Sequence, residues 1–461
     1  MMNYHDFLKT KEIKSDSVGF EPTSNNPTLF DWQSDIVRWA LMKGRAAIFA
    51  DCGLGKTAMQ LQWSAQVSEH TGKPVLICAP LAVAAQTQRE GIKFNVPVTV
   101  CRKQCDVQSG VNITNYEMLS HFEAERFSGV VLDESSILKD ATSSTRKLLT
   151  AMFKNTPFKL CCTATPSPND YMELGTHSEF LGIMTQPEML STFFCHDGGN
   201  TSKWRLKGHA ETKFFEWVAS WACCITNPAD LGYDGSAFNL PELNIVEIVT
   251  KSSNIEDNSG QMLLFAETVQ TLNERRAARR NSMGDRVRAA ADIANATTEQ
   301  VLVWCDLNAE SEALADAIDG AVEVRGSQTP EYKEQAMNGF TDGTNRVLVS
   351  KPSIAGWGMN WQQCNTMIFV GLSDSFEAYY QAMRRCWRFG QTRPVTVYII
   401  ISEAEGCVKQ NIERKQADAQ RMTQELVKFT KDILAAEIRH TVRMSESYIT
   451  TERMVIPAWI A

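Results

Sequence analysis

Long apolar runs are missing from this 461-residue chain. The longest, VLICAPLAVAA from Val75 to Ala85, falls well short of the ~20 residues a membrane span needs, so neither a transmembrane segment nor a membrane partner is expected. The opening MMNYHDFLKTKEIKSDS lacks the charged start, apolar middle and small-residue cleavage site of a secretory signal, and a cytoplasmic location is expected. Regularly spaced cysteines are absent as well. The 13 present are odd in number and scattered through apparent strands and helices, as in LICAP, KLCCTATP and SWACCIT, which argues against a disulfide framework. Neither CRKQC (Cys101, Cys105) nor Cys195 with His196 has a second pair at zinc spacing, so no metal cluster is expected. Excess positive charge is lacking too. A net charge of −8 argues against a protein that coats nucleic acid with its whole surface, while leaving room for a local basic groove.

What is present is an α/β pattern on a chain too long for one core, since single cores stop growing near ~250–300 residues. AAIFA (46–50), VLICA (75–79), VTV (98–100), GVVLDE (129–134) and FKLCCTAT (158–165) are short apolar runs separated by turns or helix-length segments. Buried parallel strands with crossover helices read this way. A second series follows in VLVWCDL (301–307), AVEV (321–324), RVLVS (346–350), TMIFVGL (366–372) and VTVYIII (395–401). Between them lies an aromatic-rich stretch, closed by NLPELNIVEIV and followed by the basic NERRAARRNSMGDRVRAA. The expected organisation is an arm over 1–28, a first doubly wound parallel-sheet domain over 29–175, a partly helical inserted region over 176–290, a second such domain over 291–405, and a helical tail over 406–461.

ADCGLGKT places Gly53, Leu54, Gly55, Lys56 and Thr57 between a strand and a probable helix, in the GxGK[ST] part of the phosphate-loop pattern. Small residues let backbone N–H groups wrap a polyphosphate, and a helix N-terminus adds its positive end. Lys56 is then the group for the β- and γ-phosphates, with the Thr57 hydroxyl a ligand for Mg²⁺. Ala50 stands in place of the first glycine of the general pattern. Some 75 residues on, VVLDESS brings Asp133 and Glu134 to the end of an apolar strand, where open α/β sheets bind ligands. Phosphoryl transfer needs one carboxylate to hold Mg²⁺ and one group to position or deprotonate water, and Asp133 and Glu134 fit those roles in that order. Taken singly, each feature also fits a plain strand-to-helix turn or a capped helix. Together they point to hydrolysis of a nucleotide with Mg²⁺.

With these motifs in place the chain resembles the superfamily-2 helicases and translocases of the Swi/Snf branch, particularly compact phage-encoded members, from about Leu29 to Ile401. The resemblance implies two RecA-like domains in tandem. It makes Gln33 in FDWQSDIVRWAL a contact to adenine, and it makes APLAVAAQ, with Pro80, and ITNYEML, with Thr114, segments that touch a DNA backbone. Thr114 and Glu117 also read as a TxxE capping box. Thr163 and Thr165 in CTATP resemble the motif linking the nucleotide and nucleic-acid sites. Gly356, Gly358 and Asn360 in AGWGMNWQ match a motif combining backbone contact with inter-domain sensing, in which Gly358 faces the nucleotide. QAMRRCWRFGQ resembles QAxDRxxRxGQ, with Gln381, Arg385, Arg388, Gly390 and Gln391 in register. Three departures stand out: Ser136 replaces the histidine of DEAH, Arg384 an acid, and Trp387 a histidine.

A helix over 376–389 would align Gln381, Arg385 and Arg388 on one face and Tyr380, Met383 and Trp387 on another. The aromatic side then docks, and the guanidinium fork faces a phosphate. Arg384, on the flank, is either a salt-bridge residue or one that faces DNA. The cluster Arg275, Arg276, Arg279, Arg280, Arg286 and Arg288 is a candidate for further backbone contacts, against a solvated basic helix. The leading expectation is an ATP-dependent helicase or translocase moving on DNA, duplex or single-stranded, held mainly by its phosphates. A nuclease or a replication or recombination protein is the kind of partner that fits. The alternatives are a motor subunit of a restriction or packaging complex and a non-hydrolysing, ATP-gated DNA-binding module.

Overall fold

The computed structural model describes residues 19–24, 26–80, 83–140, 142–197, 200–250, 282–355, 359–373, 375–402 and 406–438. The first lobe is built on β1 (Arg45–Ala50), β2 (Val75–Ala79), β3 (Val98–Val100), β4 (Val111–Asn115), β5 (Gly129–Asp133) and β6 (Phe158–Thr163). A hairpin of β7 (Phe194–Asp197) and β8 (Asn200–Leu206) follows, then β9 (Ala222–Ile225). Apart from the hairpin these strands form one parallel sheet in the order β3-β4-β2-β5-β6-β1-β9. The interior strands are buried at nearly every residue because helices cover both faces, which is why their sequences run apolar without alternation.

The second lobe repeats the plan with β10 (Leu243–Thr250), β11 (Val301–Trp304), β12 (Ala321–Val324), β13 (Val347–Ser350), β14 (Thr366–Val370) and β15 (Val395–Ser402). All are parallel, in the order β10-β15-β14-β11-β13-β12. The two doubly wound sheets expected from the alternating pattern are therefore present. The described part of residues 176–290, anticipated as an inserted region, holds helices and the hairpin, but it also supplies β9 to the edge of the first sheet and β10 to the edge of the second. ACCI at β9 pairs with β1, Ala47 facing Ala222. Four residues, three of them small, amid aromatic helices carry too little pattern to be read as a strand.

The 33-residue helix Gly406–Ile438 straps the lobes together. Its first half puts Ile412 into the second lobe's core, and its second half puts Leu426, Val427, Leu434 and Ile438 into the first lobe's. Phe429 stacks on Phe215 at 4.6 Å, and Glu437 accepts a hydrogen bond from the Trp39 indole at 3.0 Å.

Of the basic cluster, Arg275, Arg276, Arg279 and Arg280 lie outside the described residues. Arg286, in the helix Met283–Asn295, does not reach a nucleic acid. It is fully buried, 2.7 Å from the Glu310 carboxylate, and its Nε donates to Ser282 Oγ at 3.2 Å. Arg288 is exposed, beside Asp285. Among the described residues no helix is long and apolar enough to cross a membrane, no group of three or more His, Cys, Asp or Glu side chains is placed to hold a metal ion, and the cysteines are free.

Candidate nucleotide site between the lobes

The candidate groups of the first lobe hang from three adjacent strand ends. In the order β5-β6-β1 the register sets Asp133 beside Cys162 and Thr163 beside Phe49, so the acidic pair, the threonines and the phosphate turn finish at one level. β1 runs into the turn 51–55, and Gly53 and Gly55 hold φ of 89° and 72°, where an L side chain is strained. Each also has a neighbour where a Cβ would sit: Phe389 N at 2.9 Å for Gly53, Gln33 Nε2 at 2.4 Å for Gly55. Gln33 is buried and donates to the Leu54 carbonyl at 3.0 Å while accepting from Phe30 N at 3.1 Å, so it braces the turn from behind. Lys56 opens the helix Lys56–Thr71, its ammonium on the carbonyls of Ala50 (2.8 Å) and Asp51 (3.3 Å). Thr57 follows, half-buried in the first turn.

Asp133 closes β5. Its Oδ1 accepts from Gln60 Nε2 at 2.7 Å, and its carbonyl takes the Tyr116 hydroxyl at 2.7 Å. Glu134 sits in the left-handed region (φ 56°, ψ 57°), a costly backbone state for a residue with a side chain and one that concentrates at working sites. Its Oε2 accepts from Thr163 Oγ1 at 3.2 Å, and Thr163 Oγ1 accepts from Thr165 N at 3.1 Å. Burial pushes the Glu134 carboxyl up to about 7, with Lys56 pulling it down and the Asp133 charge adding to the rise. Burial raises Asp133 too, opposed by the Gln60 hydrogen bond and by Lys56. Behind this pair His177 is buried, its Nε2 3.2 Å from Ser135 Oγ and Nδ1 3.2 Å from the Glu173 carbonyl. Burial lowers it to about 4, so the ring is neutral.

The second lobe contributes the end of one helix. The helix Phe376–Met383 stops short of the expected 389: beyond it, Arg385 N bonds to Ala382 O and Cys386 N to Met383 O, three residues back, while the Arg385 carbonyl is taken by Trp361 N at 2.9 Å. These tight turns still gather the arginines. Arg385 donates to Gln381 O (2.8 Å), Gln381 Oε1 (2.9 Å) and Met359 O (3.1 Å), and Arg388 to Met359 O (3.3 Å). Trp387 anchors the segment through its indole N–H on Pro241 O at 2.8 Å. Burial and the neighbouring Arg385 charge lower Arg388 to about 10, still protonated at neutral pH. Gln381, fully buried, lies between Arg385 and the Cys52 thiol, 3.6 Å from its sulfur.

Other expected residues fall elsewhere. Thr114 is buried at 1% exposure inside β4, and the cap of the following turn is Asn115, whose side chain accepts from Met118 N at 3.2 Å. The strand runs one residue further than the TxxE spacing suggests, which takes Thr114 out of the capping position and off the surface. Pro80 follows β2 and Asn360 is half-buried in the second lobe, whereas Gly356 and Gly358 lie outside the described residues. Asp51, Gln60, His177 and Glu377 were not singled out by their sequence, and Tyr380 was named only for the docking face of its helix. Gln60, one turn on from Lys56, is the one whose spacing could have revealed it.

An SNF2-related domain matches residues 28–193 and a helicase conserved C-terminal domain matches 285–390. The chain is a Swi/Snf-type member of superfamily 2. In this SNF2-type chain the two parallel-sheet lobes are the tandem RecA-like domains. Similar curated proteins include the TATA-binding protein-associated factor mot1 of Schizosaccharomyces pombe, 30% identical over 129 residues, 26% of this chain. The bifunctional helicase and thymine dioxygenase JBP2 of Leishmania braziliensis is 32% identical over 83 residues, 18% of this chain. The chain spans only 6% and 8% of the lengths of these two relatives. A Sulfolobus solfataricus SWI2/SNF2 ATPase core in complex with dsDNA aligns over 91% of this chain and 98% of its own at 15% identity, with a TM-score of 0.42.

Proposed function

We propose that the chain hydrolyses ATP in the cleft between its lobes and uses the cycle to move along DNA. One observation carries the reading: the second-lobe turn 384–390 is seated on the phosphate turn, with Phe389 N and the Arg388 Cβ at 2.9 and 3.6 Å from where a Gly53 side chain would begin. The two halves of the expected ATP site, more than 300 residues apart in sequence, meet at that point.

The donors suit a magnesium nucleotide. Gly53 and Gly55 hold the left-handed backbone of a Gly-rich turn, the helix behind it presents its N-terminus, and Asp133 and Thr57 are oxygen ligands of the kind Mg²⁺ takes in ones and twos beside phosphate oxygens. When bound, the ion supplies charge neutralisation at the β- and γ-phosphates. In this reading Lys56 leaves the Ala50 and Asp51 carbonyls for the phosphates. Glu134, held by Thr163 and carrying a pKa near neutrality, accepts the proton of the attacking water. Arg385 and Arg388 turn from Met359 O toward the γ-phosphate, where a permanently charged fork stabilises the transition state. Gln33 holds the turn and lies at the adenine end.

Opening and closing would shift one lobe along a nucleic-acid backbone relative to the other. In this reading Pro80 and Asn360, both half-buried, remain the candidate backbone contacts, while Thr163 and Thr165 link the sites from buried positions. Binding directed at phosphates is weakly sequence-dependent and strongly salt-dependent. ATP turnover by the full chain, measured alone and with single-stranded DNA, duplex DNA and RNA, tests the reading. Stimulation by DNA is expected. No turnover with any polymer would leave an ATP-gated binding module in its place.

A further inference from the structure

Arg384 is turned away from solvent and toward the first lobe. It is 4% exposed, and its NH2 donates to Asp51 Oδ2 at 2.9 Å and to the Cys52 carbonyl at 2.6 Å, across the lobe boundary. The Tyr380 hydroxyl donates to the other Asp51 oxygen at 2.6 Å, where Cys52 N also binds at 2.6 Å. The guanidinium lies 5.6 Å from the Tyr380 ring centroid and 5.1 Å from that of Trp387, so its planar cation is held against two aromatic rings. A turn earlier on the same helix, Glu377 is bonded to Lys139, just past the acidic pair, and accepts from Thr165 Oγ1 at 3.3 Å. Residues 377, 380 and 384 stand at i, i+3 and i+7, one stripe of the helix and its C-cap, which adjoins Trp387 and is distinct from the arginine fork.

We propose that this stripe is an inter-lobe clasp, in which Arg384 is a positioning residue that fixes the phosphate turn without contacting phosphate or DNA. Residues 51 and 52 are the two that lead into Gly53. Asp51 Oδ1 and Oδ2 and the Cys52 carbonyl each accept from the second lobe, while the Asp51 carbonyl stays with Lys56, so the shape of the turn depends in part on how the second lobe is seated. Glu377 ties the same helix to the Thr163–Thr165 segment, which itself holds Glu134. A shift of one helix therefore reaches the phosphate turn and the candidate base together. The clasp stands on the contacts alone. Its effect on turnover rests on the ATPase reading.

Amide hydrogen exchange of the full chain without nucleotide tests the clasp, alongside ATP turnover with DNA. Arg384→Met should raise exchange over residues 52–57 by about tenfold, within the ~5–150-fold range of inter-site couplings, while β5 and β6 stay protected. In turnover the same variant should raise KM for ATP about as much as it lowers kcat, and Arg384→Lys should recover part of both. In an Asp51→Asn background, Arg384→Met should add less than about threefold, because the two share one interaction. Tyr380→Phe, which removes one hydroxyl and keeps the packing, should give a smaller rise at 52–57 and carries the test if Arg384→Met does not fold. Exchange over 52–57 equal to wild type in folded variants would overturn the clasp. Wild-type chain without ATP turnover would overturn the ATPase reading, and the exchange comparison would still decide the clasp.

Discussion

The two lobes share a sheet plan and support their candidate groups in different ways. In the first, Asp133, Glu134 and Thr163 leave the ends of adjacent parallel strands and Lys56 opens the helix after the turn that follows β1, so each inherits its place from the ladder and from partners of the same lobe such as Gln60. In the second, Arg385 and Arg388 sit in tight turns after a short helix, placed by side-chain bonds to Gln381 and to the Met359 carbonyl, while their neighbour Arg384 leans on the first lobe. A site assembled this way has one half that is built by folding and another that is completed by contact. Changes in the first lobe should therefore act on chemistry, or on the stability of the local framework. Changes at Arg385 and Arg388 in the second should separate binding from turnover.

The largest effect expected from this contrast is at Arg388. Arg388→Ala should lower DNA-stimulated ATP turnover by ~10³–10⁵, the range of an arginine finger, while ATP binding by calorimetry stays within a fewfold. Turnover within a fewfold of wild type would remove the second lobe from the chemistry. Next comes the framework of the second lobe. Arg286→Met leaves the Glu310 carboxylate buried without its cation and should cost about 3–5 kcal/mol in denaturant unfolding, where a solvated arginine would cost almost nothing.

The first lobe's support is tested through pH. His177 is held neutral down to about 4, whereas an unfolded histidine takes up its proton near 6.5. Between those values the unfolded state binds more protons, so this group's contribution to stability shrinks as pH falls, by about 2 kcal/mol from pH 6.5 to 5. Glu173, raised by burial to about 7, acts with the opposite sign and loses stability as pH rises from about 4.5 to 7. His177→Gln should flatten the acid limb of the stability profile, and an unchanged slope would show that the ring is not the group responsible. The smallest effect belongs to Arg288. Arg288→Ala should change unfolding free energy by less than about 0.5 kcal/mol, and a fall of one in the salt slope of DNA binding would mark it as a phosphate contact.

Much of the fold was legible because interior parallel strands write themselves as apolar runs. VLICA, buried throughout, coincides with the interior strand β2 at both ends, and the half-buried edge strands VTV and AVEV coincide with β3 and β12. β4 and β9 were missed because VNITN carries polar residues and ACCI is short and sits among aromatic helices. The candidate site was legible where a motif is local, as at Gly53–Thr57 and Asp133–Glu134. Partners that arrive from elsewhere in the chain left no local mark. His177 reaches Ser135 from 42 residues away and Glu377 reaches Thr165 from 212. The basic helix shows the same limit from the other side: Arg286 and Arg288 look alike in sequence, and only burial against Glu310 separates an ion pair from a solvated charge.

The long helix Gly406–Ile438 also sets the order in which the molecule can be finished. During synthesis the first lobe emerges early, yet Leu426, Val427, Leu434 and Ile438 of its core are added some 200 residues after β9, once the second lobe has been made. Until then the apolar surface around Trp39 and Phe215 waits uncovered. The lobe that holds the phosphate turn is thus the first to start folding and among the last to close, and a nascent chain halted before residue 406 would present that surface to chaperones or to other chains.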